Sequence, residues 1–106
     1  MTEPSKILIR MPNWVGDVVM ATPVIRAVRE RFPASKIHLL LRSYVVPVIE
    51  GWDAFDALHQ IDASDGRGFG QARRVGKRLR DERFDAALLL TNSMTTALEA
   101  WFAKIP

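Results

Sequence analysis

No cysteine occurs among the 106 residues, which removes disulfides, thiol nucleophiles and zinc–thiolate sites from consideration. Histidine is nearly as scarce. His38 and His59 are the two present; each stands isolated on a strand-like segment and reads as structural or exposed, so no metal site is expected. No apolar run approaches the roughly 20 residues that span a bilayer. Internal repeats and low-complexity tracts are missing as well. Residues 1 to 5, Met-Thr-Glu-Pro-Ser, lack the basic start of a secretory signal, and the expected site of action is cytoplasmic. Neither sign of charge dominates: 15 Lys plus Arg stand against 12 Asp plus Glu, a net charge of +3. That bias modestly favours an anionic partner such as a phosphorylated sugar, a nucleotide or a membrane surface. The G-x-G-x-x-G fingerprint does not follow the first strand, which counts against a dinucleotide site. Gly66, Gly68 and Gly70 imitate a phosphate loop, but no Lys-Ser or Lys-Thr pair follows them.

What is present is the composition of an ordinary globular domain, 48% apolar and 25% charged, at a length that suits one small domain. Lys6 to Met11 is a short apolar run closed by Pro12-Asn13 and reads as a buried strand and turn. Val18, Ala21, Ile25, Val28 and Phe32 then recur at spacings of three and four, one face of a helix that Pro33 ends and Pro23 should kink. Lys36 to Leu41 is a second strand, so the order strand, helix, strand predicts parallel pairing. A short helix over 44–51, a weaker strand over 56–61 and a loop at 65–68 follow. The spacing then predicts a helix over 71–83 with Ala72, Val75 and Leu79 inward, and a nearly all-apolar fourth strand over 85–90. Met94, Ala97, Leu98, Trp101, Phe102 and Ile105 share a final helical stripe. The pattern predicts an α/β fold with an open parallel sheet covered on both faces. In such sheets ligands bind beyond the carboxyl ends of the strands, where strand order reverses. The loops 12–17 and 91–93 are therefore the candidate site.

Asp17 sits at the strand-to-helix junction of the first of these loops. Two readings of it stand open: an acid in the first turn of a helix, favoured by free N–H groups and the helix dipole, or a general base. Pattern alone prefers the first. Gly16 allows either a sharp backbone turn or the close approach of a ligand. Trp14 offers an apolar platform for a sugar face, or ordinary packing. Asn92 and Ser93 suit the N-cap of the last helix, or a sugar hydroxyl or phosphate. Arg73, Arg74, Lys77, Arg78 and Arg80 make the third long helix basic, and a solvated outer face is the default.

Lys-Ile-Leu-Ile-Arg-Met-Pro-Asn-Trp-Val-Gly-Asp-Val-Val-Met-Ala-Thr-Pro over 6–23 resembles the opening of the ADP-heptose:lipopolysaccharide heptosyltransferases, glycosyltransferase family 9. The resemblance continues through Arg31-Phe32-Pro33, Arg83-Phe84-Asp85 and Leu90-Thr91-Asn92-Ser93. Trp14-Val15 and Asn92-Ser93 place it nearer the type II branch. It implies a Rossmann-like domain, with 1–106 as part of the amino-terminal, acceptor-side domain of a GT-B enzyme whose carboxyl-terminal donor domain is absent. It further implies inverting transfer of heptose from ADP-heptose to the lipid A inner core, with no cofactor, no nucleic acid partner and peripheral association with the inner membrane surface. Asp17 then corresponds to the base, which reverses the ranking drawn from pattern. Asn13, Trp14, Gly16, Thr22, Asn92 and Ser93 correspond to the acceptor side. A non-catalytic α/β remnant or interaction module is the alternative, and so is a nucleotide- or nucleic-acid-binding domain.

Overall fold

Ile7, Leu8 and Ile9 are all buried because their strand, β1 (Lys6–Arg10), lies inside the sheet with a neighbour on each side. In this computed structural model, which describes residues 4–66, 68–90, 99, 101–103 and 105, β1 pairs in parallel with β2 (Lys36–Arg42) and with β4 (Ala86–Leu89). β2 in turn pairs with β3 (Ala57–Ile61), giving the order β3-β2-β1-β4. Parallel neighbours need crossover connections. These run through α1 (Val15–Arg31), the short α2 (Val46–Ile49) and α3 (Gly68–Arg80).

The two faces of β1 and β2 each bury a separate cluster, which is why both strands read as continuous apolar runs. Ile7, Ile9, Ile37, Leu39 and Leu41 meet Val18, Ala21 and Ile25 of α1 on one face. Leu8, Leu40 and Ile61 meet Val75 and Leu79 of α3, with Phe84 and Ala103, on the other. The expected α/β sheet with helices on both faces is therefore what forms.

Pro23 lies inside α1 without ending it. Having no N–H, it leaves the carbonyl of Val19, four residues earlier, without its helical donor. The Thr22 hydroxyl donates to that carbonyl at 2.8 Å. At the end of α1, Arg29 donates to the carbonyls of Ala54 and Ser35 and to the Asp56 carboxylate, which also accepts the Ile37 N–H at 2.7 Å.

Two expectations are corrected. The third helix spans 68–80 rather than 71–83: Phe69 sets its ring edge-on to Phe102 at 5.2 Å, and this packing carries the helix back through two glycines. Ahead of it the Arg74 guanidinium donates to the Asp65 carbonyl at 2.8 Å and lies against Gly66. The expected fourth strand forms as β4, which among the described residues lies at an edge of the sheet with Leu88 and Leu89 partly exposed. Trp101 is 69% exposed, whereas Glu99 and Ala103, four apart, turn inward. Met94, Ala97 and Leu98 of that stripe lie outside the described residues.

The basic helix puts much of its charge into the fold. Arg78 bonds the Asp65 carboxylate and the Gln60 carbonyl, and Arg80 bonds the Phe102 carbonyl. Arg73 and Lys77 are exposed.

Candidate functional site

β1 has β2 on one side and β4 on the other, so strand order reverses beside it, and the loop from Met11 to Trp14 leaves its carboxyl end. This is where an open parallel sheet offers a crevice. The loop is rooted firmly. Met11 is fully buried, its N–H donates to the Leu40 carbonyl at 2.8 Å, and its own carbonyl accepts from the Arg10 guanidinium at 2.7 Å.

Arg10 points into the core at 2% exposure and pairs through Nε with Glu99 Oε1 at 2.9 Å. The second oxygen of Glu99 accepts from Gln71 Nε2 at 2.7 Å, and Gln71 Oε1 accepts from Arg42 at 3.0 Å. Two charges buried in this way are tolerated only when paired and hydrogen-bonded, as here. Sequence reasoning missed this network. Its signal was present as charges on otherwise apolar elements, Arg10 ending a buried strand and Glu99 within an apolar stripe.

Above this base the loop is open. Trp14 begins α1 with its ring 73% exposed and gives no side-chain cap to the helix. Gly16 has an ordinary backbone, so no sharp turn requires it, and open space lies where a Cβ would stand. Asp17, in the first turn of α1, is exposed, and among the described residues its carboxylate takes no hydrogen bond. Along the same stretch of α1, Val15, Val19 and Met20 are 51%, 53% and 78% exposed; Met20, three residues on, shares the Asp17 side of the helix, while Val15 and Val19 lie away from it. Asn13 Oδ1 is buried and, among the described residues, has no partner. A buried acceptor without a donor is costly.

Thr22 lies elsewhere. It lines a groove of about 520 Å³ between α1 and α2 with Pro23, Arg26, Val48, Ile49 and Trp52. The Arg26 guanidinium stands 5.5 Å from the centre of the Trp52 ring there. Asn13, Trp14, Gly16 and Asp17 thus run from the end of the loop into the first turn of α1, and Thr22 lies further along that helix at the groove. Asn92 and Ser93 lie outside the described residues.

The histidines are not isolated. His38 Nδ1 and His59 Nε2 stand 2.9 Å apart with their rings stacked, and Glu82 Oε2 is 3.9 Å from His38 Nδ1. Parallel pairing of β2 with β3 sets His38 opposite Ala57 and His59 opposite Leu40, on the same face. Burial pushes both imidazoles below their ordinary pKa, and His38 lowers His59 further. The hydrogen bond from Lys6, at 2.7 Å, holds the Glu82 carboxyl below the usual range.

No family model matches the chain. Among curated proteins it is 32% identical to lipopolysaccharide heptosyltransferase 2 of Salmonella typhimurium over 95% of its own length and 29% of that protein's. It is 31% identical to the enzyme of the same name from Escherichia coli, over the same shares. Lipooligosaccharide heptosyltransferase 2 of Haemophilus influenzae matches at 31% over 93% of the chain and 29% of the relative. Among solved structures, that of E. coli ADP-heptose lipopolysaccharide heptosyltransferase II superposes with a TM-score of 0.80 at 32% identity, covering 95% of this chain and 29% of that one. A glycosyltransferase of family 9 from Veillonella parvula superposes at 0.86 over 96% and 30%; at 23% identity it speaks for the fold alone. The chain therefore spans about 29% of the length of the curated relatives it matches. By sequence and by fold together, the chain is similar to the matching stretch of the heptosyltransferases.

Proposed function

We propose that residues 1–106 are the acceptor-side part of a heptosyltransferase, with Asp17 as the general base. The observation that carries this reading is a carboxylate that is exposed and, among the described residues, unbonded, at the crevice beside β1. A sugar hydroxyl is a poor nucleophile until a positioned base takes its proton. In the proposed step the acceptor hydroxyl gives its proton to Asp17 as its oxygen bonds the anomeric carbon of the heptose. The bond from that carbon to the phosphate oxygen breaks, ADP leaves, and attack from the opposite face inverts the configuration. Relatives named lipopolysaccharide heptosyltransferase support a lipopolysaccharide acceptor, and an inner-core sugar is the acceptor proposed here. The exposed apolar side chains of Trp14, Val15, Val19 and Met20 at this end of α1 suit a substrate at a lipid surface.

Asn13, Trp14 and Gly16 belong to the same acceptor subsite in this reading. The open space over Gly16 leaves room for the sugar beside the backbone, and Asn13, its Oδ1 buried, shapes the root of the subsite. Asn92 and Ser93, which follow β4 in the sequence, are assigned to the same subsite on the resemblance alone. Thr22 contributes from the neighbouring groove. ADP-heptose is the donor, held by a domain outside this stretch, and no further cofactor enters the reaction. Among the described residues no helix is long and apolar enough to cross a membrane, and the place of action is taken as the cytoplasmic face of the inner membrane, peripherally bound.

The test is heptosyl transfer to an inner-core acceptor, measured as ADP release by this chain joined to the donor domain of a relative. Asp17→Asn lowers kcat by about 10² to 10⁴, the usual worth of a general base, with KM for the acceptor little changed. Activity within a few-fold of the parent would overturn the assignment. The 106-residue chain alone releases no ADP above background.

A further inference from the structure

On the face of the sheet away from α1, His38, His59 and Glu82 each offer one ligand atom within 4.8 Å of the other two. They come from three separate elements: β2, β3 and the turn between α3 and β4. We propose that His38, His59 and Glu82 form a binding site for a divalent transition-metal ion of the zinc type.

Geometry carries the inference. Zinc holds imidazole nitrogen at about 2.0–2.1 Å and carboxylate oxygen at about 2.0–2.2 Å. Tetrahedral angles then set ligand atoms about 3.3 Å apart. The 2.9 Å between the imidazole nitrogens and the 3.9 Å from His38 Nδ1 to Glu82 Oε2 lie on either side of that spacing, and all three ligand atoms fall within 4.8 Å of one another, so rotation of the part-exposed Glu82 side chain toward the imidazoles closes the cage. The rings are already held. Phe84, 4% exposed, sets its edge against His38 at 5.2 Å and His59 at 6.3 Å and walls the site with an apolar surface. Parallel register fixes the two histidines on one face of adjacent strands. Two imidazoles with one carboxylate select zinc, cobalt or nickel over magnesium or calcium, which take oxygen donors. Three protein ligands leave a fourth position for water.

The Lys6 ammonium competes for the site, standing 2.7 Å from Glu82 Oε2. Its side chain is 29% exposed, so it swings into solvent when the ion enters. This sets the site apart from a plain ion pair: removing the lysine strengthens metal binding, whereas a merely structural Lys6–Glu82 pair predicts no such gain. A bound ion ties β2, β3 and the turn before β4 at the amino-terminal end of the sheet, the end opposite the Asp17 loop.

The experiment titrates the chelator-stripped 106-residue chain with Zn²⁺ by calorimetry and with Co²⁺ by visible absorption. One equivalent binds at micromolar affinity and raises the melting temperature, and chelator reverses both. His59→Gln and Glu82→Gln, with far-UV circular dichroism matching the parent, each weaken binding about tenfold or more, since even groups behind the ligands cost about 10-fold to 100-fold. Lys6→Met tightens it several-fold. No one-equivalent binding up to high micromolar metal, or binding unchanged in His59→Gln, overturns the proposal. Should one variant lose the parent's circular dichroism, the other two carry the same readout.

Discussion

Thr22 shows how one side chain can answer two questions at once. Its hydroxyl donates to the carbonyl that Pro23 leaves without a helical partner, and its position also lines the groove with Arg26 and Trp52. Thr22→Val should cost about 0.5–1.5 kcal/mol, the net worth of an intramolecular hydrogen bond. In a Pro23→Ala background, where the backbone N–H returns, the same change should cost almost nothing. Urea unfolding of the four proteins in this cycle measures the coupling. A second prediction belongs to Asp56. Burial raises its pKa, but the Ile37 N–H and the Arg29 guanidinium outweigh that and leave it below the ordinary 3.8. A folded pKa below the unfolded one means that the unfolded chain binds more protons, so stability rises with pH across that interval. The contribution is complete above pH 3.8 and is lost as pH falls through the lower folded value. Asp56→Asn should therefore flatten the decline in urea midpoint below pH 4, and an unchanged acid limb would refute this.

Among the elements, β1, β2 and α1 were legible because their patterns state their surroundings. Continuous apolar runs mark strands buried on both faces, and the three-four spacing of Val18, Ala21 and Ile25 marks a helix with one face covered. The apolar run Ala86–Leu89 likewise announced β4, although not its place at an edge among the described residues. The start of α3 was hidden: Gly68 and Gly70 argue against a helix locally, and contacts with residues thirty positions away overrule them. Gly76 has the clearest element-level consequence. A Cβ there would overlap Phe102, so the absent side chain lets the segment at Glu99–Ala103 lie against α3. Gly76→Val should cost more than 1 kcal/mol despite the glycine's poor helix propensity, as overpacking usually does. Proteolysis should then reach residues 99–103 sooner than in the parent. A stabilised variant would show that the contact is slack.

Across the whole molecule, the largest single dependence is the buried pair of Arg10 and Glu99, joined by Gln71 and Arg42. Breaking such a pair costs about 3–5 kcal/mol because the remaining charge stays buried, whereas replacing both partners with apolar residues is often neutral or better. Glu99→Ala should therefore destabilise severely, and Arg10→Met combined with Glu99→Leu should recover most of the loss, as denaturant midpoints would report. The candidate site was legible as a place and only partly as an arrangement. Asn13 to Asp17 run from one short loop into the first turn of α1, a junction that any strand-to-helix reading exposes. The supports of that loop, and the meeting of His38 with His59, depend on strand order and register, which no local pattern carries.

The same pair bears on the order in which the molecule is assembled. Arg10 and Glu99 are 89 positions apart, and a ribosome delivers the first long before the second. Until residue 99 has emerged, the guanidinium that fixes the Met11 carbonyl lacks its carboxylate, and the base of the Asp17 loop waits on a side chain made 89 positions later.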